Sequence, residues 1–410
     1  MQSSTLEKTG VVAGGLLWMA GFLFAATGCE SQPDNGEAMS SSDSRSAGSG
    51  RSAADIVAAK RSPLDEQYVI GPTAADRIGY RVIWDVPPRL NDVVEVARLH
   101  GDSLFLVDAD NSITRIMRSN GTQTWLRPIG SMTDNVLGVV RSTMYGADVV
   151  MALTEGDLHI FETGNGVQRT RQPLSRVANT DAILFGPAII YGSLNGQLVW
   201  HHYELGSYMG GTTLYGAVSA APGLFDDVVV GVSNQGHVLA VEADSRVRIW
   251  DKMARAEIIA PPALSDEAVY VSSLDQHIRC YDIDNGQVLW DHLHSGPLTQ
   301  PPVLIADKVL LQTPDMGLVC YEALPYGDLD GNILWNSEEA KGTIIGRHRG
   351  QLIAWDARSH TLEILDEQAG GLIDRIQLPK AEHVLISDFD SGEIYGIAAS
   401  GQTTKIVPRQ

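Results

Sequence analysis

The chain has 410 residues, 44% of them apolar and 20% charged, and 50 acids against 30 bases give it a formal net charge of −20. That length and apolar content allow a large core and exclude a disordered chain. The acidic balance, with no cluster of Lys and Arg, argues against a general nucleic-acid or anionic-lipid binder. Three cysteines are too few for a disulfide framework, and 41 glycines beside 12 tyrosines and seven phenylalanines suit a turn-rich β protein.

Residues 11–26 form an apolar run of sixteen, short for a membrane-spanning helix but suited to the core of an export signal. The segment ahead of it carries little charge, Lys8 being offset by Glu7. Ala26-Thr27-Gly28-Cys29 follows and resembles the lipobox of bacterial lipoproteins, with Ala26 where that family usually has Leu. The resemblance implies a signal peptide over 1–28 and a lipidated Cys29, whose acyl chains would anchor the protein stably. The alternative is an uncleaved N-terminal anchor with a chance cysteine. Glu30 leaves the choice between inner and outer membrane partly open, the outer membrane being favoured. Residues 29–62 turn to Ser, Gly, Asp and Ala and cannot bury enough surface to fold. As a flexible tether they reach roughly 30 Å, with one or two helical turns expected over 53–60. A lead-in segment occupies 63–79.

From about Tyr80 to residue 410 one unit recurs. Its clearest form is 268–290, where short β-branched and aromatic runs are broken by Asp, Asn and Gly, the pattern of strands joined by tight hairpins. The positions equivalent to its final tryptophan are Trp84, Trp125, Thr170, Gly210, Trp250, Trp290, Trp335 and Arg375, spaced by 41, 45, 40, 40, 40, 45 and 40 residues. A period near 40 with four short strands per unit predicts an all-β propeller of four-stranded antiparallel blades. Pro222, Pro262 and Pro302 are expected to open inner strands, where a missing N–H is tolerated. Gly121, Gly286 and Gly331, each four residues before a tryptophan, supply the positive φ of a hairpin turn. The last unit offers only three strands, over 383–389, 393–400 and 402–408. The missing fourth is 81–86, so the N-terminal strand would complete the last blade and close an eight-bladed ring. Seven blades with an irregular flank, because Gly210 replaces a tryptophan, is the alternative.

Residues 284–290 (DNGQVLW), 330–335 (DGNILW) and, more weakly, 244–250 (DSRVRIW) resemble the tryptophan-docking motif of quinoprotein-type propellers, the PQQ-repeat family. The resemblance implies that Trp84, Trp125, Trp250, Trp290 and Trp335 are structural, each locking one blade to the next. Lipobox, tether and propeller together resemble the lipoprotein accessory factors of the outer-membrane β-barrel assembly machine. This implies a non-enzymatic scaffold, periplasm-facing and monomeric in its propeller, with protein partners, a lipid anchor to the membrane and no cofactor. The enzymes of the superfamily carry a vicinal cysteine pair over the quinone, and this chain has no adjacent cysteines.

Other candidates for chemistry read more simply as structure. Cys280 and Cys320, forty residues apart, fall at the same place on the third strands of neighbouring blades, roughly 10 Å apart. They are expected to be buried free thiols. His201 and His202 would point to opposite strand faces, and His292 and His294 share a face without a third ligand at a recognisable spacing. Residues 328–332 (DLDGN) look like a fragment of a calcium loop but occupy a hairpin turn lengthened by an insertion near 324–326. No catalytic, cofactor or metal residue is expected. A ligand-binding or sensory propeller using the central channel is the second functional reading, and a PQQ-dependent dehydrogenase the third.

Overall fold

The computed structural model describes residues 63–131 and 133–409. The export signal, Cys29, the tether and the turns expected over 53–60 lie outside them. Eight four-stranded antiparallel sheets make an eight-bladed propeller. Blades 1 to 7 run over 94–128, 136–173, 178–213, 223–253, 263–293, 303–337 and 343–377, each with its strands in chain order from the axis outward. Blade 8 takes Ala381–Ile386, Ile394–Ala398 and Thr403–Pro408 from the C-terminus and Tyr80–Val86 from the N-terminus, with Tyr80 opposite Pro408 and Val86 opposite Thr403. The ring is therefore closed by the N-terminal strand. Seven blades are excluded.

Second and third strands are nearly continuous apolar runs because each blade is covered on both faces. Ala268–Ser272 is buried throughout, whereas the outer strand Val288–Leu293 buries Trp290 among half-buried and exposed neighbours. The molecule has no single core. Eight apolar clusters lie between blades, such as Ala268, Tyr270, Cys280 and Trp290 of blade 5 against Val309, Leu311, Val319 and Tyr321 of blade 6. Pro222, Pro262 and Pro302 each stand immediately before a two- or three-residue inner strand, Gly223–Phe225, Ala263–Leu264 and Val303–Ile305.

A β-bulge unforeseen in the sequence sits at one place in all eight blades. Ile83, Thr124, Arg169, Met209, Ile249, Leu289, Leu334 and Ile373 are each skipped in the ladder between third and outer strands. The extra residue twists the strand and aims the next side chain at the following blade. In blade 7 that register corrects the sequence reading: Asp374, not Arg375, is the tryptophan-equivalent, opposite Ile364. The lead-in also proves ordered, with a 3-10 turn Pro63–Gln67 and a short helix α1, Pro72–Arg77, starting on proline.

Candidate partner-binding face

Five seams are closed by tryptophan. The rings of Trp84, Trp125, Trp250, Trp290 and Trp335 lie over Gly121, Gly166, Gly286, Gly331 and Gly370 of the following blade, where an added Cβ would fall 2.2 to 3.0 Å from the ring. Each glycine also has φ between +69° and +79°, so the position is restricted twice. Four indoles donate Nε1–H to a backbone carbonyl: Trp84 to Arg118 at 3.1 Å, Trp125 to Thr163 at 2.9 Å, Trp250 to Ile283 at 2.7 Å and Trp290 to Ala323 at 2.8 Å. Trp335 Nε1 is buried without a partner among the described residues.

The other three seams use substitutes. Between blades 2 and 3, Gln172 packs on Gly206 and donates to Tyr203 O at 2.7 Å. Between blades 3 and 4, Gly210 has lost the ring, Arg246 stands at the turn with φ 61°, and its side chain covers Gly210. The missing indole reappears across the ladder, where Trp200 opposes Gly210; the residues opposing Trp250, Trp290 and Trp335 are the small Ala240, Cys280 and Cys320. At the closing seam, Arg77 of α1 binds Asp374, with Nε to Oδ2 at 2.7 Å, and donates to Arg375 O at 2.8 Å. Val69, Ile70, Ala74, Ala75 and Ile78 of the lead-in fill the apolar cluster there.

The candidates for chemistry are engaged in structure. Cys280 and Cys320 are free and buried, and burial raises both thiols, Cys320 to about 12. His201 is buried and donates Nε2–H to Gln172 at 2.9 Å, while the half-buried His202 accepts from Leu205 N–H. His294 donates Nδ1–H to Asp315 at 3.0 Å and accepts from the Tyr321 hydroxyl, whereas His292 donates to Asp330 O. Asp328 accepts from Asp330 N–H in a turn, and Leu329 O accepts from Asp291 N–H of blade 5 at 2.9 Å, folding the insertion over that blade's edge. Among the described residues, no three His, Cys, Asp or Glu are placed to hold a metal ion. On the inner strands, Arg98 of blade 1 pairs with Asp181 of blade 3 at 2.8 Å across Gly138 of blade 2, where any side chain would strike the Asp181 carboxylate.

What the scaffold presents is an apolar strip on loops of blades 3 and 4. Val177, Leu194 and Tyr215 are 52%, 58% and 65% exposed, high for large apolar side chains. Their loops are joined by backbone hydrogen bonds: Leu194 N–H donates to Val177 O at 3.0 Å, and Leu214 N–H to Gly196 O at 2.7 Å. Tyr215 is fixed by its N–H to His237 Nδ1 at 3.1 Å, with the rings 4.9 Å apart. Arg176 flanks the strip, held by Gln197 at 2.9 Å and lying 5.6 Å from the Tyr208 ring centroid. Ordered aromatic and aliphatic anchors beside an arginine are the usual content of a protein-recognition patch. Sequence reading missed it because the three residues are 17 and 21 positions apart. Their one signal was a large apolar residue in turns that otherwise take polar ones.

A family model described as outer membrane protein assembly factor BamB matches residues 33–193 and again 186–344. Among solved structures, the chain is similar to BamB from Moraxella catarrhalis, with TM-score 0.62 and 18% identity over 80% of this chain and 97% of that one. It is equally similar to the computationally designed Ika8 protein, with TM-score 0.63 and 15% identity over 78% of this chain and 97% of that one. No curated protein matches the sequence. At these identities the structures speak for the fold alone.

Proposed function

Starting from a chain that belongs to the family described as outer membrane protein assembly factor BamB, we propose that it is a membrane-tethered, non-enzymatic scaffold assisting the assembly of outer-membrane β-barrel proteins. The exposure of Val177, Leu194 and Tyr215 on loops joined by backbone hydrogen bonds is the observation that carries this reading, since binding residues sit best on loops held by a stiff frame. The lipobox-like 26–29 and the Ser-rich stretch after it support a lipid anchor at Cys29 and a tether that lets the ring meet partners at the outer-membrane surface. The test is mild crosslinking in envelopes, with partners identified by mass spectrometry, for the parent, Cys29→Ala and the pair Leu194→Asp and Tyr215→Asp. Recovery of an outer-membrane β-barrel assembly protein is expected, at least tenfold weaker in the double variant and reduced in Cys29→Ala. Undiminished recovery in the double variant would remove the strip from the interface; no such partner in the parent would overturn the assembly role.

A further inference from the structure

The loops that follow blades 3, 4 and 5 share one hydrogen bond. Tyr215, Arg255 and Ser295 stand forty residues apart, and the backbone N–H of each donates to a side chain of the next blade, at or just after the turn between its second and third strands. For Arg255 the acceptor is Asp275 Oδ2 at 2.8 Å, and for Ser295 it is Asp315 Oδ2 at 2.9 Å. Blade 4 has Gln235 where those aspartates stand, and its acceptor is instead His237 Nδ1 at 3.1 Å. The aspartates keep their charge in mild acid. Burial opposes ionisation of Asp275, but hydrogen bonds from Arg279, Ser273 and the Arg255 N–H hold it at about 2. Asp315 is also held well below the usual carboxylate range, against its burial, by the Ser295 N–H and by His294. Imidazole is the side chain that changes charge between about pH 5 and 8. The loop that carries Tyr215 thus rests on a titratable acceptor, and the next two loops rest on permanent ones.

The geometry also fixes the ring's proton. A backbone N–H can only donate, so Nδ1 is unprotonated and Nε2–H donates to Asp251 Oδ2 of the outer strand at 3.3 Å. A second proton can enter only at Nδ1, where it would face the Tyr215 N–H. His237 is buried, with Tyr215 the far more exposed of the pair, so relief must come from the loop. Asp251, itself paired with Arg248 at 3.1 Å, accepts from either form of the ring, so protonation costs the Tyr215 contact alone. On the adjoining strand and loop, Lys252, Arg255 and Glu257 make no hydrogen bond to the ring. We infer that His237 is an acid-released latch on Tyr215: the neutral ring holds the tyrosine in the partner-binding strip, and protonation at Nδ1 frees residues 214–216 and weakens the hold on a protein partner. This regulation rests on the reading of Val177, Leu194 and Tyr215 as the partner face. His237 acts through Tyr215 and is a positioning residue.

Gln235→Asp supplies the acceptor that blades 5 and 6 use and leaves His237 to pair with Asp251 alone, as His277 pairs with Asp291. Amide hydrogen exchange of the full chain, resolved to single residues and corrected for intrinsic rates, reads the latch without any partner. Protection of the Tyr215 N–H should fall roughly tenfold or more between pH 7.5 and pH 5.5, while that of Arg255 and Ser295 changes less than about twofold. In Gln235→Asp, Tyr215 should behave like those two. Unchanged protection of Tyr215 in the parent would overturn the proposal, and so would the same loss in Gln235→Asp. Crosslinking in envelopes at both pH values reads the consequence: at pH 5.5 the parent should recover roughly threefold less partner than Gln235→Asp. Equal recovery would overturn the regulation. Failure of the partner face itself is distinguishable, because it shows already at pH 7.5 as undiminished recovery with Leu194→Asp and Tyr215→Asp.

Discussion

The seams between blades 4 and 5 and between blades 2 and 3 bury equivalent turn carbonyls with different side chains. At the first, Trp250 donates Nε1–H to Ile283 O at 2.7 Å and lays its ring on Gly286; at the second, Gln172 donates to Tyr203 O at 2.7 Å above Gly206. The indole fills the seam and satisfies the carbonyl alone. The smaller amide needs its own carbonyl oxygen engaged, and the donor is His201, a group that titrates. Conserving the hydrogen bond without the ring thus makes one seam sensitive to acid and leaves the other indifferent.

Trp290→Ala should cost the most, about 3–5 kcal/mol, because it opens a cavity at the blade 5–6 seam and leaves Ala323 O with only the Tyr270 hydroxyl as donor. Urea unfolding of parent and variant measures it, and a loss below 1 kcal/mol would show that the ring is not a lock. Gly331→Ala should cost about 2–4 kcal/mol, combining a left-handed φ of +79° with a Cβ 2.8 Å from Trp290. Gly327→Ala, with φ +74° and open space around it, isolates the backbone share and should cost only about 1–2 kcal/mol. Equal losses for the two would mean that the ring yields freely.

Burial lowers the His201 pKa to about 4 from 6.5, with a smaller contribution from His202. The folded state therefore favours the neutral imidazole. Its contribution is complete above the unfolded pKa of about 6.5 and declines as the pH falls toward 4, by up to about 3 kcal/mol. Denaturant midpoints measured across that window should fall more steeply for the parent than for His201→Asn; parallel curves would place the acid sensitivity elsewhere. A further contrast lies at the closing seam. Asp374→Asn should lose about 1–3 kcal/mol by weakening the two hydrogen bonds from Arg77. The loss should disappear in an Arg77→Ala background, which a double-mutant cycle reads directly.

These contrasts mark what sequence can reveal. Eight blades were legible because an outer-strand motif recurs near every fortieth residue, and closure because three C-terminal strands lacked the fourth that 81–86 supplies. The exchanges at weak seams were not legible, since Trp200 replaces the ring lost at Gly210 across a ladder, and Arg246 replaces a turn glycine 36 residues later. Such pairs become visible only once the register is known. The slip from Asp374 to Arg375 comes from length: Asp374 follows Gly370 by the usual four residues, but it lies 39 residues after Trp335, one fewer than a uniform period of forty implies. A bulge adds one residue to a strand that still reads as a strand, so all eight escaped notice. The apolar strip on blades 3 and 4 was hidden because proximity there comes from loops, which carry no period.

Blade 8 couples the two ends of the polypeptide. Tyr80–Val86 finds its ladder partner only in Thr403–Pro408, and Arg409 completes the joint by donating its backbone N–H to Gly79 O and its Nε–H to Tyr80 O. A chain interrupted before residue 403 would leave that first strand, with Trp84, in search of a partner while later blades stood ready. Pairing across so long a stretch is also slow to find. A closed ring is therefore a signature that residues 403–408 have been made and have found residues 80–86.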